Sequence, residues 1–71
     1  MPSTAVRSID YNPEADELQV TFVTGRRYLY QDVPAYVAEA FRTAFSKGTY
    51  FNKYIRDRYD YTELDPADDG G

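Results

Sequence analysis

The 71-residue sequence contains neither cysteine nor histidine. The first absence excludes a disulfide framework and a thiolate metal site, and the second removes the commonest metal ligand and general base. Together they argue against an enzyme and against a metal or other cofactor. Ser3, Ser8 and Ser46 have no imidazole to activate them, and Lys47, adjacent to Ser46, belongs to a solvent-facing turn. The four glycines are scattered over a hairpin, a helix end and the C-terminus, so no phosphate-binding loop is formed. Met1-Pro2-Ser3-Thr4 leads straight into strand-like sequence, and no long apolar run follows. Neither export nor membrane insertion is indicated, and a cytoplasmic protein is the expectation. The last twelve residues lack any basic side chain, which concentrates the acidity of the chain there.

What is present is aromatic and charged: eight tyrosines, four phenylalanines and a net charge of −4. Residues 1–59 hold all eight Lys and Arg against seven Asp and Glu, a balance of +1, and the five acids of residues 60–71 bring the chain to −4. Within the body, Arg42, Lys47, Lys53, Arg56 and Arg58 face Asp57 alone, a local +4 over residues 42–58. The expected organisation is one domain over 1–59 and an acidic, disordered tail over 60–71.

Alternating polarity predicts strands at Ala5–Tyr11 and Glu17–Val23, with Asn12-Pro13-Glu14-Ala15-Asp16 turning between them. In the first strand Ala5, Ile9 and Tyr11 share one side, and Arg7 falls on that same apolar side. The second is cleaner, with Leu18, Val20 and Phe22 facing one way. Asp10-x-Asn12-x-Glu14-x-Asp16 has the alternating oxygens of a calcium loop, but Ala15 stands where glycine is needed and Thr21 where the bidentate glutamate belongs. It reads as a solvated turn.

The next hairpin admits two registers. A two-residue loop of Thr24-Gly25 pairs Val20 with Leu29 and exposes Tyr28 and Tyr30, but asks the β-branched Thr24 for positive φ. A three-residue loop, Val23-Thr24-Gly25, needs positive φ only at the glycine. It pairs Phe22 with Arg26, Val20 with Tyr28 and Leu18 with Tyr30, which turns both tyrosines to the core, and steric economy favours it.

Asp32-Val33-Pro34 announces a helix, with Asp32 complementing the dipole. Val33, Val37, Phe41 and Phe45 recur every fourth residue, so this stripe faces the sheet. Gly48 suits the left-handed residue that ends the helix, and Thr49 suits the cap of a second, shorter one reaching about Arg58, with Phe51, Tyr54 and Ile55 buried. The fold class is α+β: a three-stranded antiparallel meander followed by two C-terminal helices packed on one face.

Tyr28-x-Tyr30, Val33-Pro34, the Ser46-x-Gly48 break and Tyr50-Phe51-Asn52 with Ile55-Arg56 resemble, in order and spacing, the KTSC domain. The resemblance runs from about Val6 to Tyr59. That family is named for the C-terminus of some lysyl-tRNA synthetases and also occurs as free-standing bacterial proteins. The resemblance implies an RNA-binding role through that attachment.

Two surfaces remain for a partner. Arg42, Lys47, Lys53 and Arg56 offer cations to phosphates and Tyr50 a ring to a base, the combination that binds single strands; the same residues also suit an ordinary solvated helix face. Tyr28 and Tyr30 resemble a stacking pair on a sheet, although the preferred register assigns them to the core. The first function this suggests is a non-catalytic RNA-binding (tRNA-binding) accessory module. The alternative is a protein-interaction module or homodimer, using an exposed edge strand or an outer sheet face bearing Val6, Thr21, Val23 and Leu29. No small-molecule substrate is indicated.

Overall fold

The computed structural model describes residues 5–64. Strands β1 (Val6–Asn12), β2 (Glu17–Phe22) and β3 (Arg27–Tyr30) form the expected antiparallel meander. A fourth strand, β4 (Tyr61–Leu64), comes after the helices and pairs antiparallel with β3, giving the sheet order β1-β2-β3-β4. The three-stranded expectation is corrected to four. Tyr30 pairs with Tyr61 and Tyr28 with Glu63, while the Gln31 amide donates to the Asp60 carbonyl at 2.9 Å. β4 thus lies inside the stretch expected to be tail. The disorder expected over residues 60–71 is corrected at Tyr61–Leu64, which are ordered in β4, and residues 65–71 lie outside the described residues.

The hairpin between β2 and β3 has the three-residue register. Leu18 pairs with Tyr30 and Val20 with Tyr28, and the Phe22 amide donates to the Arg26 carbonyl at 2.9 Å. Gly25 takes φ +95°, a conformation costly for any residue with a Cβ. The lack of a Cβ at that position suits the three-residue loop, whose register turns both tyrosines to the core face.

β1 departs from simple alternation. Val6 pairs with Phe22 and Ser8 with Thr21, with a bulge between them, so Arg7 is an extra residue. The bulge turns Arg7 to solvent and brings Val6 onto the core face beside Ile9 and Tyr11. Expecting Val6 on the outer face is therefore corrected, and the awkward Arg7 is explained. Val23 lies in the turn beyond β2, so the outer face is less apolar than expected.

Helix α1 (Ala35–Arg42) is shorter than its stripe suggests. Pro34 is its N-cap and no acid stands in its first turn; Asp32 lies before it at φ +60°, shaping the approach instead of meeting the dipole. Val33, Val37, Ala38 and Phe41 are buried, but Phe45 is fully exposed (106%) in the turn after α1. The stripe overran the helix. A second helix starts at once, because the Ser46 side chain accepts from the Thr49 amide at 3.3 Å and so caps α2 (Lys47–Tyr50). Ser46 is the cap expected of Thr49, and Gly48 lies inside α2, not at a left-handed stop. Ending α1 early lets Phe51 and Ile55 reach the sheet.

From Phe51 the helix widens. Phe51–Ile55 is a π turn, and the Arg56 amide donates to the Phe51 carbonyl at 2.8 Å, five residues back. Phe51 and Ile55 are buried, whereas Tyr54, expected inside, is half exposed. The core is continuous from Leu18, Val20 and Tyr30 on the sheet through Val33, Val37 and Phe41 to Phe51 and Ile55. The Tyr11 hydroxyl ties β1 to the approach of α1, donating to the Val33 carbonyl at 2.7 Å with an Asp16 carboxylate oxygen 3.2 Å away.

Candidate nucleic-acid interface

The helices cover the core face of the sheet unevenly. On the β3–β4 side the face remains open, and a cleft of about 430 Å³ lies between it, the β2–β3 hairpin and the π turn. Its walls are rings. Tyr30 and Phe51 are buried at 3% and 4% exposure, Phe22 and Tyr28 are half buried, and Tyr61 stands open at 54%. The Tyr28 and Tyr30 ring centroids lie 5.4 and 5.2 Å from that of Tyr61, and Phe51 meets Phe22 and Tyr30 edge-on at 5.3 and 5.6 Å. Strand alternation puts Tyr28 and Tyr30 on one face, and the pairing of β4 brings Tyr61 beside them.

The cleft also carries Arg26, Arg56 and Asp57. Arg26 reaches Glu63 across the strands at 3.6 Å, a contact between two well-exposed side chains. Arg56 donates to the Asn52 side-chain oxygen at 3.4 Å. Arg56 directly follows the π turn, its amide bonded to the Phe51 carbonyl, and lines the cleft. Burial above all, with Tyr61 and Tyr28 adding to it and Arg56 working in the opposite direction, pushes the Tyr30 phenol up to about 12.

The five residues singled out in the sequence do not share one site. Arg56 belongs to the cleft, whereas Lys47 lines a separate depression with Phe45, Thr49 and Asn52. Lys53 is exposed. Arg42 is held by Glu39, one turn back, through contacts of 2.6 and 3.3 Å. Tyr50 turns toward α1, its ring near-parallel to Phe41 at 5.8 Å and 4.7 Å from Tyr54. Burial raises its phenol, and Tyr54, Tyr59 and Tyr36 add to that. Sequence reasoning missed Arg26 and Tyr61. A signal for Tyr61 existed in the strand-forming Tyr61-Thr62, but the surrounding acids masked it.

Among the described residues no group of His, Cys, Asp or Glu is arranged to hold a metal ion. No helix among them is long and apolar enough to cross a membrane.

Comparison with known proteins places this geometry in a family. A protein of Stutzerimonas stutzeri (strain A1501) is 36% identical over 66 residues, covering 92% of this chain and 93% of the relative. The lysine–tRNA ligase of Nostoc sp. (strain PCC 7120) is 36% identical over 59 residues, 83% of this chain, but this chain spans only 10% of the ligase. In structure, the chain matches the crystal structure of a KTSC domain protein from Yersinia pestis with a TM-score of 0.82 at 28% identity, covering 90% of both chains. The family model of the KTSC domain matches residues 2–59, and the chain belongs to the KTSC domain family.

Proposed function

We propose that this chain is a small RNA-binding accessory module that acts by contact and carries out no chemistry of its own. The observation that carries the reading is the match to one-tenth of a Nostoc lysine–tRNA ligase, an enzyme whose name gives tRNA as a substrate. A domain of this kind attached to such an enzyme is well placed to add affinity for the same RNA by raising its effective concentration. The charge pattern supports it: Lys47, Lys53 and Arg56 are distributed around the second helix in a segment with a local charge of +4. A cytoplasmic setting fits that role.

Affinity is modest on this reading, because Arg42 is already paired with Glu39 and about three or four phosphate contacts remain. Binding of labelled tRNA, followed by anisotropy at several salt concentrations, should weaken with a log–log slope of roughly −2 to −3 if the contacted strand is single. A chain ending at Leu64 tests whether the acidic residues beyond it shield the cations while sparing β4. Absence of binding at low salt by both chains would end the reading.

A second reading, as a protein-interaction module or homodimer, draws on Phe45, which is fully exposed beside the depression that contains Lys47. A large apolar side chain entirely in water is a liability unless something covers it. Light scattering reports self-association, and a pull-down repeated after nuclease treatment separates a protein partner from one bridged by RNA. The outer sheet face offers this reading less, since Ser8, Asp10, Gln19, Thr21 and Thr62 stand on it with Leu29 and Leu64.

A further inference from the structure

We infer that the aromatic cleft binds one unstacked nucleotide of a single-stranded segment, its base against Tyr28 and Tyr61 and its phosphate between Arg26 and Arg56. The inference rests on the RNA-binding reading above and assigns that activity a place.

The cleft has the size and shape for such a ligand. About 430 Å³ lies within the range of small-molecule sites, and one side is open, as a chain entering and leaving requires. The Tyr28 and Tyr61 rings are inclined at 57° to one another, so they do not stack face to face. Tyr61 presents half of its surface to water beside a wall of buried rings. A base sliding against it would cover that ring and gain the stacking that single-strand binders use.

Charge decides between two classes of ligand. Three tyrosines near a carboxylate are also the makings of an aromatic cage for an ammonium group. Here Arg26 and Arg56 share the cleft with Asp57, and Glu63 pairs with Arg26 at its rim, so the charges balance overall; the guanidinium of Arg56, which has no ion-pair partner among the described residues, is what repels a cation and favours an anion. The ligand must then join a flat apolar face to a negative charge, which is the description of a nucleotide. Arg26, which also bonds to the Tyr28 side chain, can exchange its 3.6 Å contact with Glu63 for a phosphate at small cost in that ion pair, because both side chains of the pair are solvated. Arg56, which lines the cleft, has no carboxylate within ion-pair distance among the described residues.

The concavity also selects the form of the nucleic acid. A paired base is sandwiched by its neighbours and cannot offer its face to Tyr61, whereas a base in a loop or at a strand end can. The cleft therefore discriminates single strands from duplex.

The test is an amide-shift titration of the whole chain with a short single-stranded oligoribonucleotide, with a duplex of the same composition, and with AMP. The expected result is shifts at Arg26, Tyr28, Arg56 and Tyr61 with the single strand, and much weaker binding of both the duplex and AMP. Tyr61→Ala and Tyr61→Leu should each weaken single-strand binding about tenfold, while Tyr36→Ala on α1 stays within about twofold. Tyr61→Leu retains apolar bulk at an exposed position and removes the aromatic face, so loss of binding in a folded variant isolates stacking. Shifts confined to residues 42–53, with the cleft amides unmoved, would overturn the inference and leave the RNA-binding reading standing. AMP binding as tightly as the oligonucleotide would reassign the cleft to free nucleotides and overturn it too. No response to any RNA would end both.

Discussion

Two groups of rings lie on either side of the second helix, and they are built differently. On the α1 side Phe41, Tyr50 and Tyr54 face one another at 5.8 and 4.7 Å, and the nearby Arg42 is bound by Glu39. On the β4 side the rings line an open cleft, and the guanidinium of Arg56 meets only a neutral amide among the described residues. The first group spends its ring faces and its charge internally; the second keeps some of both for a ligand. Both sides combine rings with a guanidinium group, so that combination alone does not make a site. What counts is whether the faces and charges are already engaged, because an interaction already made in the free protein must be broken before a ligand gains from it.

The largest effect that bears on this contrast is on stability. Phe41→Ala removes a fully buried ring from the α1 side and should cost about 3–5 kcal/mol, enough to unfold much of a domain this small, as urea denaturation would show. Tyr61→Ala, on the cleft side, should leave the midpoint within about 1 kcal/mol. If the two variants proved equally destabilising, the division into supporting and presenting rings would fail.

The buried back wall of the cleft can be reached by pH. The Tyr30 phenol is pushed up to about 12 from an ordinary value of 10.0, mainly by burial. The fold therefore favours its neutral form. That contribution is fully present below pH 10 and is lost as pH rises from 10 toward 12. Denaturation midpoints across that range should fall, and Tyr30→Phe should flatten the fall; an unchanged slope in that variant would place the ionisation elsewhere.

Gly25→Ala tests the hairpin that carries Arg26. An added Cβ meets nothing within 4 Å, so the cost is conformational alone, about 1–2 kcal/mol for a left-handed residue. Ser46→Ala should lose about 1 kcal/mol through its cap on α2, and Thr49→Ala less, which separates the two candidate caps by thermal melting. The smallest effect belongs to Arg42→Gln. Its exposed pair with Glu39 is worth about 0.5 kcal/mol or less, and RNA affinity should fall less than in Arg56→Gln.

Several of these positions are legible in the sequence. The hairpin register follows from where positive φ is tolerable, which is a property of three adjacent residues. The burial of Val37 and Phe41 follows from a period of about four. Other features had signals that pointed the wrong way. Phe45 continues the apolar stripe, yet Ser46 ends the helix to start another; the two local preferences conflict, and burial of Phe51 and Ile55 resolves them. Arg7 on an apolar side announced a bulge that pattern counting has no means to represent. Lys47, Lys53 and Arg56 were visible as cations, but their distribution over different faces was not.

The chain alone fixed the lack of any disulfide or thiolate site, the meander and the side of the sheet on which Tyr28 and Tyr30 stand, since each depends on residue identity or on sterics over a few neighbours. The widened turn at Phe51, the return of Tyr61–Leu64 to the sheet and the open side of the cleft came from the packed molecule. Those features depend on which distant segments win a place against the sheet, a competition for burial and backbone pairing that local preference cannot settle.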